Sequence, residues 1–200
     1  MKHFLAIAAL SALVGCAAKT PPSSIAASPD RCRLTKDDLT ANRSLSWVEF
    51  GQRQNSRTTW SALGSAGCHD AAATAYADYL AFGPPIAGER YQITARFHLG
   101  RSLAYADRNE EAARIIATAR RETEVGGLHW NDYVQGTVAF LTRDRGTLTA
   151  RQASLAAQPG FSDRINAGVL AGLLHCWERP YLEAAALACA TASGYKMPVD

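Results

Sequence analysis

Apolar residues recur at intervals of three and four along most of this chain. Ile93, Phe97, Gly100, Leu103 and Ala104 form one such series, and Ala112, Ile115, Ile116 and Ala119 a second. Trp130, Val134, Thr137, Val138 and Leu141 form a third. Towards the C-terminus, Ile165, Val169, Leu173 and Cys176 are followed by Leu182, Ala185, Ala186 and Cys189. This spacing gathers side chains on one face of an α-helix, which then needs a partner to cover it. Between the series fall Gly83-Pro84-Pro85, Asp107-Arg108-Asn109, Gly126-Gly127, Arg145-Gly146, Gln158-Pro159-Gly160 and Arg179-Pro180, all turn-forming chemistry. No stretch after residue 34 sustains the alternation of a strand. The pattern predicts an all-α domain over residues 34–200, built of antiparallel helical hairpins. Its first helix is expected after Thr35, which precedes Asp38 with capping-box spacing.

The N-terminus reads differently. Met1-Lys2-His3 is followed by an uncharged apolar run from Phe4 to Gly15. Such a run is too short for a bilayer span of about 20 residues and suits the core of an export signal. Leu13-Val14-Gly15-Cys16 resembles the bacterial lipobox. The resemblance implies a signal peptide over residues 1–15, cleavage before Cys16, and lipid chains on its sulfur and new amino group. Several chains are needed for stable anchoring, at about 0.8 kcal/mol per buried methylene. Ala17 stands where an aspartate would imply retention in the inner membrane. The resemblance therefore implies a protein of the cell envelope, lipid-anchored on the periplasmic face of the outer membrane. Residues 16–33 are expected to serve as lipidated cysteine and flexible tether. The Pro- and Ser-rich segment 17–30 would span roughly 20 Å.

The helical part resembles tetratricopeptide repeats, which pair antiparallel helices every 34 residues. Leu99-Gly100 stands where that family has Leu-Gly in its first helix, and Ala112, Ile116 and Ala119 occupy signature places in the second. Small residues there let two helices approach closely. Gly172 and Ala184 repeat the twelve-residue offset. The segment Trp130–Ala157 departs from the pattern, with Val134 in the glycine place and Gly146 in the first alanine place. The resemblance implies either a right-handed superhelix of such hairpins or a compact helical bundle.

Composition limits the function classes. Without Lys2 the processed chain carries 20 basic and 18 acidic residues, intermixed along its length. That is a solvated helical surface and no nucleic-acid footprint. Four cysteines follow Cys16: Cys32, Cys68, Cys176 and Cys189. An even number in an oxidising compartment is expected to form disulfides, with three pairings open. Cys176 and Cys189 share the apolar stripes of consecutive helices. Two continuous helices meeting near Pro180 would nevertheless offset them by about 9 Å along the axis.

Candidate chemistry is sparse. Cys68-His69-Asp70 has the residue types of a nucleophilic triad, but sequence neighbours do not converge on one substrate atom, and Asp70 reads as a helix N-cap. His98, His129 and His175 lack a ligand partner one turn away, and no cysteine pair has zinc spacing. No metal, cofactor or catalytic set is expected. Trp47, Phe50, Trp60, Tyr76, Tyr79 and Phe82 are expected in the core of the first hairpins. Three functions fit: a membrane-anchored scaffold for a protein partner, an envelope enzyme acting on cell-wall or lipid material, and a structural envelope lipoprotein. The enzyme would need groups such as Glu49, Asp78, Glu111 and Asp132 to converge.

Overall fold

A computed structural model of the chain describes residues 29–52, 56–122, 128–196 and 198. Leu13, Val14, Gly15 and Cys16 lie outside the described residues. The first described element is a 3₁₀ turn, Pro29–Cys32, and Cys32 and Leu34 pack against the core ahead of Thr35. Helix α1 (Lys36–Arg43) opens on the expected capping box: Thr35 Oγ1 accepts from Asp38 N at 3.2 Å, and Thr35 N donates to Asp38 Oδ2 at 2.9 Å. Then follow α2 (Trp47–Gln52), α3 (Trp60–Ser65) and α4 (His69–Phe82). The long α5 (Glu89–Tyr105) precedes α6 (Asn109–Ala117), α7 (Trp130–Leu141), α8 (Arg145–Ala156) and α9 (Phe161–His175). Two short helices, α10 (Tyr181–Ala184) and α11 (Leu187–Ala192), complete an all-α fold.

Three hairpins close in the same way. The residue after the C-cap of each first helix is left-handed: Gly67 at φ 76°, Asp107 at 61° and Arg143 at 62°. The next amide reaches back five residues, Cys68 to Leu63 O (2.9 Å), Arg108 to Leu103 O (3.0 Å) and Asp144 to Ala139 O (2.8 Å). This is the Schellman closure, which satisfies the last carbonyls of a helix while reversing the chain. It pairs α3 with α4, α5 with α6 and α7 with α8. The second helix of each pair then packs on the first helix of the next.

Asp107 and Arg143 stand 36 residues apart, as do Gly100, Gly136 and Gly172. The spacing explains the departure in the third hairpin. With a 36-residue register Gly136, not Val134, is the counterpart of Gly100. A Cβ on Gly100 would press into Ile116 and lie 3.2 Å from Ala112 O. One on Gly172 would lie 3.2 Å from Ala184 O, the same contact at the same offset. Gly136 differs, admitting the side chain of Leu170 from α9 rather than a residue of its own hairpin.

The stripes on α5 and α6 are buried where the periodicity puts them, with Ile93, Phe97, Leu103, Ala104, Ala112, Ile116 and Ala119 at 6% exposure or less. On α9 the buried face turns to Ala167, Leu170 and Leu173, leaving Ile165 and Val169 at its edge. The final segment departs from the single helix expected of Leu182 to Cys189. The chain breaks at Ala186, which is extended (ψ 150°), so Tyr181, Ala184 and Ala190 face inward while Leu182 is 42% exposed. That break removes the axial offset between Cys176 and Cys189. Their Cα atoms lie 6.0 Å apart and the disulfide forms. Cys32 and Cys68, with Cα atoms 5.2 Å apart, form the other, pinning the entering chain to the start of α4.

Candidate functional site

The seventeen-residue α5 carries a second stripe beside its buried one, His98, Arg101 and Tyr105, at intervals of three and four. All three are half-buried, under elements that arrive from distant parts of the chain. Trp60 of α3 sets its ring 5.4 Å from that of His98. Tyr133 comes from α7, where its ring lies 5.2 Å from Phe97. Tyr181 is the first residue of α10, delivered there by extended Pro180, and its ring stands 5.6 Å from Tyr105.

The centre of this arrangement is the Arg101 guanidinium. Nη2 donates to the Tyr105 hydroxyl, and the guanidinium carbon lies 5.4 Å from that ring's centre. Nε is buried with no acceptor, and no carboxylate stands within 4 Å among the described residues. Desolvation opposes the charge, but the facing phenols of Tyr181, Tyr133 and Tyr105 outweigh it and hold the pKa above its ordinary value. Burial drives Tyr133 and Tyr181 further up, so both are protonated near neutral pH. The guanidinium thus faces hydroxyl dipoles rather than anions. Tyr181 is 1% exposed, and its own hydroxyl makes no hydrogen bond. Burying a cation or a hydroxyl without a partner costs free energy in each case. His98, one turn away, is pushed down to about 4 by burial first and by Arg101 second. It is neutral near pH 7 and adds no second cation. A cavity of ≈ 150 Å³ beside Tyr181 is walled by Phe140, Arg143, Asp107 and Asn109.

The residues singled out in the sequence do not converge. Cys68 is consumed in its disulfide, His69 sets its ring at a tilt 5.4 Å from that of Tyr105, and Asp70 turns to Arg108 at 2.9 Å. The N-cap of α4 is Cys68, not Asp70, which sits inside the first turn. Glu49 accepts from Ser46, while Asp78 pairs with Arg43 (2.6 Å), Glu111 with Arg108 (2.6 Å) and Asp132 with Arg151 (3.0 Å). These carboxylates serve four separate local contacts. No group of three metal-binding side chains assembles among the described residues. His129 is paired after all: its Nδ1 lies 3.1 Å from Asp163 Oδ2, and its backbone N donates to Oδ1 at 2.9 Å. Of the aromatic group, Phe50, Tyr76 and Tyr79 are core, and Trp47 and Trp60 pack against it. Phe82 is instead 66% exposed, because α4 ends at that residue and its ring lies under the Arg43 guanidinium at 4.5 Å.

The sequence alone does not single out Arg101. Its only local signal is a charge placed one turn from His98 and one turn from Tyr105 along a helix otherwise committed to packing. Compared with family models, curated proteins and solved structures, the chain gives no match.

Proposed function

We propose that this chain is a lipid-anchored scaffold that holds a protein partner at the periplasmic face of the outer membrane. The observation that carries the reading is the cluster of Arg101, Tyr105, Tyr133 and Tyr181. Arginine and tyrosine dominate the energetically decisive positions of protein interfaces, because they combine large contact area with directional hydrogen bonding. Here Arg101 and Tyr105 keep partial exposure, and Arg101 Nε finds no acceptor within the fold. The lipobox-like Leu13-Val14-Gly15-Cys16 supplies the anchor in this reading, with Ala17 permitting release to the outer membrane.

Two measurements test it. Radiolabelled fatty acid should enter the wild-type protein and fail to enter Cys16→Ser; equal labelling of both removes the anchor. Crosslinking of the full-length protein in its own envelope should recover a reproducible protein partner, and repeated recovery of none removes the scaffold.

A further inference from the structure

Both cysteines of the Cys32–Cys68 bridge line a surface cavity of ≈ 400 Å³, together with Leu34, His69, Asp70 and Thr74. We infer that this disulfide is a thiol-exchange site: an external thiolate attacks Cys32, Cys68 departs, and a dithiol reductant thereby unpins the entering chain. The inference stands apart from both the scaffold reading and the anchor.

The direction of attack follows from burial. A thiolate must approach a disulfide sulfur from behind, opposite the sulfur that leaves. Cys68 is 3% exposed and lies in the core, whereas Cys32 keeps partial exposure in its 3₁₀ turn. Exchange also runs faster when the departing thiol has a low pKa. Cys68 is the N-cap of the fourteen-residue α4 and makes no side-chain capping hydrogen bond. The first amide bonded within that helix is that of Ala72, to Cys68 O at 2.8 Å. The amides of His69, Asp70 and Ala71 are left at the helix start, where they and the dipole stabilise a thiolate. The Asp70 carboxylate opposes it, but is turned to Arg108 at 2.9 Å. The other bridge offers no such leaving group. Cys176 is the C-cap of α9, at the negative end of its dipole, and Cys189 belongs to the six-residue α11. The cavity over His175 is walled by neither of them.

The step balances as thiol–disulfide exchange. The incoming sulfur bonds to Cys32 Sγ, the Cys32–Cys68 bond breaks, and its electron pair goes to Cys68 Sγ. That thiolate takes a proton from water, and Ala66 O stands 3.9 Å from the sulfur as an acceptor for the thiol so formed. The second thiolate of the dithiol then attacks the mixed disulfide and releases Cys32. The reductant leaves as a disulfide, two electrons poorer, and Cys32 and Cys68 end as thiols.

The test uses the full chain carrying Cys16→Ser, so that every remaining cysteine belongs to a bridge. It is treated with reduced glutathione under native conditions, quenched with N-ethylmaleimide and mapped by mass spectrometry. Glutathione should be found on Cys32 and the maleimide on Cys68. This bridge should open at least about fivefold faster than Cys176–Cys189, the ratio that about 1 kcal/mol at a helix N-terminus provides. Glutathione on Cys68, equal or faster opening of Cys176–Cys189, or opening only as fast as the chain unfolds overturns the site. Single variants separate the leaving group from exposure. The free Cys68 of Cys32→Ser should react with iodoacetamide at a lower pH than the free Cys32 of Cys68→Ser. The reverse order removes the leaving group, and with it the inference.

Discussion

The ring of Tyr181 packs 5.6 Å from that of Tyr105, the residue that accepts from Arg101, and although Tyr181 is only 1% exposed its own hydroxyl makes no hydrogen bond of standard geometry. A buried hydroxyl with no partner costs about 1–3 kcal/mol of desolvation that folding does not recover. Tyr181→Phe keeps the ring, with its neighbours Tyr105 and Phe140 at 5.6 and 5.9 Å, and removes that cost. The variant should therefore be more stable than wild type by about 1 kcal/mol in chemical denaturation. A loss of stability would mean that the hydroxyl already has a structural role in the unliganded fold.

The glycines offer a ranking that separates packing from propensity. A Cβ on Gly172 would meet backbone, Ala190 N at 2.8 Å and Ala184 O at 3.2 Å, which does not yield. Gly172→Ala should cost about 2 kcal/mol, the overpacking penalty exceeding the gain of about 1 kcal/mol in helix propensity. Gly136→Ala should cost less, because the atoms in its way belong to the end of the Leu170 side chain. Gly64→Ala meets nothing within 4 Å and should stabilise by about 0.5–1 kcal/mol. Thermal unfolding of the three variants checks the order, and a stable Gly172→Ala would refute the close approach of α9 to α11.

How far the sequence discloses this fold follows from the range of the interactions involved. The hairpins are legible because three-and-four spacing and turn residues act within a few positions of one another. The capping box at Thr35 and Asp38 is legible for the same reason. The repeat length is less legible: a 34-residue register puts Val134 in the glycine place, and the matched turns at Asp107 and Arg143 single out the 36-residue spacing that Gly100, Gly136 and Gly172 share. The break at Ala186 has no breaker in its sequence, which runs Ala184-Ala185-Ala186, so the helix looked continuous. Packing of Tyr181 and Ala184 inward, with the Cys176–Cys189 disulfide, selects the broken form. The Arg101 cluster was invisible, since Tyr133 and Tyr181 lie 32 and 80 residues downstream and nothing local marks them as its neighbours.

The two disulfides should differ in what they hold. They close separations of 13 residues (Cys176–Cys189) and 36 residues (Cys32–Cys68). Loop-closure entropy gives about 3 and about 4 kcal/mol respectively. Cys176→Ser with Cys189→Ser should thus lower stability somewhat less than Cys32→Ser with Cys68→Ser. Only the second pair should also free the chain ahead of α1, read out as faster amide exchange at Cys32 and Leu34. Unchanged exchange there would mean that packing of Leu34 against the core, rather than the bond, fixes the entry.

His98 gives the domain an acid-sensitive point. Burial against Trp60 and the nearby Arg101 lower its pKa from the ordinary 6.5 to about 4. Between those values the unfolded chain binds a proton that the folded state refuses, so stability rises with pH across the window. The contribution is complete above about pH 6.5 and is lost as the pH falls towards 4, by up to about 3 kcal/mol at 1.36 kcal/mol per unit. His98→Gln should flatten the dependence between pH 4 and 6.5 in denaturant titrations. An unchanged slope in that variant would place the titrating group elsewhere and leave His98 a packing residue.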